Sequence, residues 1–132
     1  MKISMILLLC FTPIFINMCL CEKVSAIGPC ECAVFLDQEV KMSEKPIIKQ
    51  NPMNVTCDTT GQETCITMCT ALAQASKAKG PGLLCSTLQH ADAFTAYVFA
   101  KRCEAASWTY TNISNVDPIC CHAGVPVTCK VK

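Results

Sequence analysis

The sequence predicts a small disulfide-rich α+β domain, in which one well-defined helix packs on a short antiparallel sheet. The chain has 132 residues, of which 13 are cysteine, a proportion that marks a disulfide scaffold in a short secreted chain. A helical pattern at about 61–79 carries agreeing start and stop signals. Several short apolar runs are rich in β-branched and aromatic residues, which strands prefer.

The N-terminus has the features of a secretory signal peptide. A positively charged start precedes an apolar run at 3–16, which is shorter than the ~20 residues of a membrane span. Small residues favour cleavage after Ala26, with cleavage after Cys21 as the alternative. We therefore expect residues 1–26 to be removed and residues 27–132 to form one secreted domain, although an uncleaved anchor is the competing interpretation.

The N-terminal part of the predicted domain should contain a strand and then a long exposed loop. Residues 31–40 are predicted to form a strand, because they contain a short apolar run at 33–36. Residues 41–55 contain two prolines and three lysines, which indicates a solvated loop. Glutamates offset the lysines, and the whole chain carries a net charge of only +1. The charge pattern therefore predicts no nucleic-acid partner.

The helix at about 61–79 has the most signals. A T-x-x-E capping box starts at Thr60, before a run in which apolar residues recur on one helical face together with Cys65 and Cys69. Lysines near the end suit the helix dipole. The Gly-Pro-Gly sequence at 80–82 is expected to stop the helix.

The C-terminal part is predicted to contain mainly strands. Ser86 and Gln89 form a second capping box, which favours a short helix at 86–94. Aromatic and β-branched residues then predict an antiparallel pair of strands at 96–103 and 107–112. A continuous helix at 86–102 is the alternative. Alternating valines at 125–131 predict a last strand.

The predicted mature chain retains an even number of cysteines, which allows complete pairing in an oxidising compartment. The adjacent residues Cys120 and Cys121 cannot bond to each other without strain, because their Cα atoms are only ~3.8 Å apart. The cysteines expected to form disulfides are Cys30, Cys32, Cys57, Cys65, Cys69, Cys85, Cys103, Cys120, Cys121 and Cys129.

Two cysteine pairs have matching geometry. Cys30 and Cys32 point to one face of a strand, and Cys65 and Cys69 point to one face of the helix. Both spacings separate the Cα atoms by ~6 Å, so two parallel disulfides between these pairs could hold the helix flat on the strand. Other pairings remain open. The single tryptophan, Trp108, is expected to be buried and to anchor the cystine core.

Asn54 and Asn112 are acceptor residues of N-glycosylation sequons. In a secreted protein such sequons imply exposed positions, and unmodified asparagine is the competing interpretation. We expect both to be exposed, with Asn54 as the better candidate because it lies in the polar segment.

Catalytic and metal-binding patterns are weak. His90 and His122 are the only histidines, and the sequence places no recognisable carboxylate or nucleophile motif beside either of them. The spacing of Cys65 and Cys69 is compatible with zinc, but cysteines of an exported chain more often oxidise. We therefore expect no catalytic residue, no cofactor and no metal.

A longer pattern of cysteines and aromatic residues runs through nearly the whole predicted domain. It consists of Cys30-x-Cys32-Ala33-Val34-Phe35-Leu36, Cys57-x₇-Cys65-x₃-Cys69, Ala96-Tyr97-Val98-Phe99, Cys103-x₄-Trp108-x₂-Thr111-Asn112-x-Ser114 and Cys120-Cys121-x₂-Gly124-x-Pro126-x₂-Cys129. This pattern resembles the insect follicle cell protein family, small secreted cysteine-rich proteins associated with ovarian follicle cells and the eggshell. The resemblance implies a shared fold and an activity that is not enzymatic.

We therefore expect a secreted structural or interaction protein, associated with an eggshell or another extracellular matrix. Its partners should be extracellular proteins or matrix components, with no membrane contact after signal cleavage. One alternative is a secreted protein-binding module such as a venom, salivary or haemolymph factor, which an exposed apolar patch or groove would favour. The second is a small secreted hydrolase, which a cleft joining a histidine to a carboxylate would favour.

Overall fold

Two antiparallel sheets and two helices make up the part of the chain that the structure describes, which confirms the predicted small disulfide-rich α+β class. The computed structural model describes residues 26–41, 43–105 and 107–130. The predicted signal peptide, apart from Ala26, lies outside these residues. The elements are β1 (Ile27–Phe35), β2 (Ile48–Thr56), α1 (Thr59–Ala75), α2 (Gly80–Leu88), β3 (Ala91–Phe94), β4 (Tyr97–Arg102), β5 (Thr109–Ser114), β6 (Ile119–His122) and β7 (Val125–Val127).

The larger sheet has the strand order β2-β1-β4-β5. Both faces of its central strand β1 are covered, since Cys30 and Cys32 pack in the cluster under α1, whereas Ala33 and Phe35 pack in an aromatic cluster on the other face. This double burial explains the short continuous apolar run in the sequence. The strand predicted at 31–40 is wrong for residues 36–40, since β1 begins at Ile27 and ends at Phe35. The smaller sheet has the order β3-β6-β7 and packs with α2 around a separate cluster that includes Leu84.

The strand β2 replaces most of the predicted loop at 41–55, so that prediction is wrong for residues 48–55. These residues pair antiparallel with β1 along almost its whole length. Because β2 is an edge strand, its proline and lysine are tolerated where a central strand would reject them. Val55 is its only buried residue among the nine, which explains why the sequence carries no apolar alternation there.

The helix α1 begins slightly before the predicted start, and its cap is Asp58 rather than Thr60. The backbone N–H of Gly61 donates to Asp58 Oδ1 at 2.8 Å, and the Thr56 hydroxyl donates to the same oxygen at 2.7 Å. The aspartate therefore ties the end of β2 to the first turn of the helix, which a threonine two residues later could not do.

The predicted helix end is also wrong. The helix α1 ends at Ala75, and residues 76–79 form a turn that holds the two lysines expected in the last helical turn. The Gly-Pro-Gly sequence begins α2 instead of stopping α1, with Pro81 in its first turn. Proline suits that place because its missing N–H would have had no helical partner. Within the described residues, no helix is long and apolar enough to cross a membrane.

The C-terminal part contains the predicted antiparallel pair, as β4 and β5. The expected second short helix is present as α2, but its predicted bounds of 86–94 are wrong, since it begins at Gly80 and ends at Leu88 and residues 91–94 form β3. The continuous helix at 86–102 is wrong because β3 and β4 occupy most of that range. The last strand is limited to Val125–Val127 of the predicted 125–131.

Candidate functional site

The feature that organises the fold is a pair of parallel disulfides between β1 and α1, which we call the cystine ladder. Cys30 bonds to Cys65 and Cys32 bonds to Cys69, with Cα–Cα distances of 5.5 and 5.4 Å. The sulfurs of Cys30 and Cys69, on different disulfides, are 4.0 Å apart, so the two bridges contact each other. The structure therefore contains the arrangement that the i, i+2 and i, i+4 spacings allowed.

Among the described residues, three more disulfides lie outside the ladder. They are Cys57–Cys103, Cys85–Cys121 and Cys120–Cys129. The adjacent residues Cys120 and Cys121 lie in β6, and because neighbouring strand residues point to opposite faces they bond to different partners. One of these bridges, Cys85–Cys121, joins α2 to the smaller sheet.

Three sulfurs of the ladder also lie within the reach of one metal ion. The Sγ atoms of Cys30, Cys65 and Cys69 are all within 4.8 Å of one another. A metal ion needs cysteines as thiolates, whereas each of these residues is bonded in a disulfide. Metal binding and the ladder are therefore mutually exclusive states of the same residues.

Mass measurement should distinguish the two states. We expect the secreted chain to gain ten hydrogen atoms on reduction, two for each of the five disulfides. Alkylation of the denatured, unreduced chain should modify no cysteine of the mature domain. Alkylation confined to the four ladder cysteines would contradict the ladder and support a metal-bound thiolate cluster instead.

The two sequon asparagines lie on opposite edges of the larger sheet. Asn54 is in β2 and Asn112 is in β5, and both side chains are exposed. Asn112 has a φ of 66°, in the left-handed region that asparagine tolerates better than most residues, and it lies at an irregularity in the β4–β5 pairing. Both positions are accessible to a glycan, and their glycosylation stays a prediction.

The fold brings the two histidines together. The rings of His90 and His122 have centroids 5.1 Å apart, and the backbone N–H of Ala123 donates to His90 Nδ1 at 3.3 Å. The pairing of β3 with β6 explains the contact, because it places the chain before β3 beside the end of β6. Both histidines are exposed. In the part of the chain that the structure describes, no carboxylate forms an ion pair with either ring.

Trp108 does not lie where we expected. It packs edge-on against Phe35 at a centroid distance of 5.4 Å, and the Lys101 Nζ lies 4.5 Å from the centre of its ring. These contacts are on the face of the sheet opposite to the ladder, so the prediction that Trp108 anchors the cystine core is wrong. It belongs to an aromatic cluster formed by Phe35, Tyr97, Phe99, Trp108 and Tyr110.

Trp108→Ala should destabilise the fold by about 2–3 kcal/mol, below the ~3–5 kcal/mol of a fully buried aromatic residue. The reduction follows from the half-buried ring, part of whose surface stays in contact with solvent. Urea unfolding of the two oxidised proteins measures the difference. An unchanged unfolding midpoint would contradict the packing role of Trp108.

Fold and site together define a small α+β domain in which cystines take the place of a large apolar core. Residues 21–132 match the family model of the Follicle cell protein 3C C-terminal domain. The chain therefore belongs to this follicle cell protein family, which confirms the resemblance carried by its cysteine and aromatic pattern. No curated protein and no solved structure matches the chain.

Proposed function

We propose that the protein is secreted and acts as a non-enzymatic structural component of an eggshell-type extracellular matrix. The observation that carries the proposal is the cystine core of a follicle cell protein domain. Six of the 14 buried apolar residues in the described chain are half-cystines. A core of this composition depends on an oxidising compartment, because reducing conditions would open its cross-links.

The edges of the larger sheet bear on how the domain would associate with matrix partners. The larger sheet has two edge strands, β2 and β5, which could pair with strands of other chains. Each edge carries one of the sequon asparagines, Asn54 or Asn112, in an exposed position. Glycans at these positions would obstruct strand addition, and association with matrix partners would then use side chains instead of backbone edges.

A structural role requires no catalytic base held in position by a hydrogen-bonded partner. The hydrogen bonding of His90 and His122 agrees with such a role. The only side-chain hydrogen bond of the pair among the described residues is made by His90 to a backbone N–H. General acid–base catalysis by histidine usually relies on a hydrogen-bonded group that orients the ring.

Localisation of the protein in the tissue tests the proposal. Antibody staining and in situ hybridisation should find the transcript in follicle cells and the protein in the eggshell. The N-terminus of the secreted form should be Ile27, or Glu22 if cleavage follows Cys21. Expression confined to a venom or salivary gland would contradict the matrix role and favour a secreted binding factor.

The double change His90→Ala, His122→Ala provides the test against an enzyme. We expect a transgenic copy with both changes to be secreted and deposited at the wild-type level, because the two exposed rings stabilise little. Circular dichroism of the purified variant checks that it folds. Normal folding together with failed deposition or a defective eggshell would contradict the non-enzymatic proposal.

A further inference from the structure

An apolar cavity of about 720 Å³ lies between the larger sheet, the end of α1, α2 and the segment that joins β5 to β6. Its floor is formed by one aliphatic side chain from each strand of the sheet: Val34, Ile48, Val98 and Ile113. Leu72 and Ala73 of α1 and Leu84 of α2 form its walls. The volume is in the range of ~300–1,000 Å³ that is typical of small-molecule sites.

The disulfides keep this space open. The ladder fixes α1 over Cys30 and Cys32, whereas Val34 and Val98, further along the sheet, form part of the cavity floor. Meanwhile Cys85–Cys121 fixes α2 to the smaller sheet. Because each helix is cross-linked to a sheet, neither can move freely to close the gap, as the walls of an ordinary void partly do.

The mouth of the cavity is apolar as well. Leu83, Val116 and Val127 line it with exposed fractions of 49, 91 and 43 %. These are three of the six large apolar residues that are exposed in the described chain. An exposed apolar set around a concave site indicates binding rather than the scattered apolar residues that every surface carries.

The polar groups of the lining indicate an uncharged ligand. One cation, Lys77, and one anion, Asp117, line the cavity, and both are exposed, so the site has no net charge and no buried charge. The Asn115 amide is already engaged, since it accepts from the Ala96 N–H at 2.6 Å and donates to the backbone of Asp117. Gln50 and Gln74 remain at the rim as uncharged hydrogen-bonding groups.

We propose that this cavity binds a long-chain apolar molecule that carries a single uncharged polar group, of the fatty-alcohol class. The chain would lie on the aliphatic floor, and its hydroxyl would hydrogen-bond to a rim amide. This inference does not depend on a matrix role, because it rests on the cavity and its lining alone.

Fluorescence titration of the oxidised, secreted protein with N-phenyl-1-naphthylamine tests the proposal, because this uncharged probe brightens in apolar sites. We expect saturable binding, displacement by dodecan-1-ol, and displacement by dodecanoate at least tenfold weaker. Stronger displacement by dodecanoate would overturn the uncharged class. The absence of saturable probe binding would overturn the site itself. If light scattering shows a dimer and the dimer binds no probe, the ligand site is also overturned, and the mouth of the cavity is identified as an interface between copies of the chain.

Two variants on one helix locate the site. Ala73→Phe places a ring in the cavity and should weaken probe binding at least tenfold, whereas Ala75→Phe adds the same ring at an exposed position outside the lining and should bind as the wild type does. Equal binding by both would place the probe elsewhere and overturn the proposal. If Ala73→Phe does not fold, Leu83→Asp decides, because Leu83 is 49 % exposed and the change puts a charge at the mouth without altering the core.

Discussion

Cys69→Ser should lower the free energy of unfolding by about 2–5 kcal/mol, the usual cost of removing a native disulfide from a small secreted domain. Cys69 is only 1 % exposed and is bonded to Cys32 across a sequence separation of 37 residues. The change opens that large loop in the unfolded chain and leaves a buried thiol beside the second bridge of the ladder. We therefore expect low secretion and a reduced melting temperature.

Two double variants, Cys32→Ala/Cys69→Ala and Cys120→Ala/Cys129→Ala, separate the effect of the ladder from that of disulfide loss in general. Chain-entropy arithmetic gives about 3.8 kcal/mol for the Cys32–Cys69 bridge and about 2.6 kcal/mol for Cys120–Cys129, whose residues are only 9 apart in sequence. Replacing both cysteines of each bridge with alanine avoids free thiols. Equal melting temperatures for Cys69→Ser and the wild type would show that the ladder does not hold α1 on the sheet.

Gly61→Ala should cost about 3 kcal/mol or more, although it adds only a methyl group. A Cβ atom at Gly61 would lie 1.5 Å from the carbonyl oxygen of Thr56 and 2.5 Å from its carbon. These are backbone atoms of β2, so no side-chain rotation relieves the overlap. The strand and the helix would have to separate, against the Asp58 cap and the nearby Cys57–Cys103 bridge.

Gly82→Ala is the matched control for this prediction. A Cβ atom at Gly82 meets nothing within 4 Å, and the residue lies inside α2. Alanine should stabilise the protein there by up to ~1 kcal/mol, through its better helix propensity. Urea unfolding of the three oxidised proteins measures both effects. If the Gly61→Ala and Gly82→Ala proteins unfold at the same urea concentration, the close approach of strand and helix at Gly61 is contradicted.

The errors in the sequence-based assignment have specific physical causes. The strand β2 resembles a loop in sequence because an edge strand can contain proline, lysine and asparagine and buries almost nothing. The Gly-Pro-Gly sequence at 80–82 is compatible with a helix end and with a helix start, and only the packing of α2 on the smaller sheet distinguishes them. Asp58 caps α1 instead of Thr60, because its carboxylate accepts hydrogen bonds from both the Gly61 N–H and the Thr56 hydroxyl.

Other features depend on contacts that no local pattern contains. His90 and His122 meet because β3 pairs with β6, and Trp108 packs on the aromatic face because its partner Phe35 alternates away from the ladder cysteines along β1. The cavity has the same origin, since its lining comes from both helices and from strands of both sheets. Gly61 carries only a weak sequence signal, a glycine in the first turn of a helix where alanine would be a better helix former.

The sequence by itself determined the disulfide-rich α+β class, the helix that carries Cys65 and Cys69, and the resemblance to the follicle cell family. It could do so because the number of cysteines and the i, i+2 and i, i+4 spacings are local properties. Only the tertiary structure decided which cysteines bond to each other, on which face of the larger sheet Trp108 packs, and where a cavity remains open. Those outcomes depend on which strands lie side by side and on how cross-linked elements fill space, and both are set by contacts between residues that are far apart in the chain.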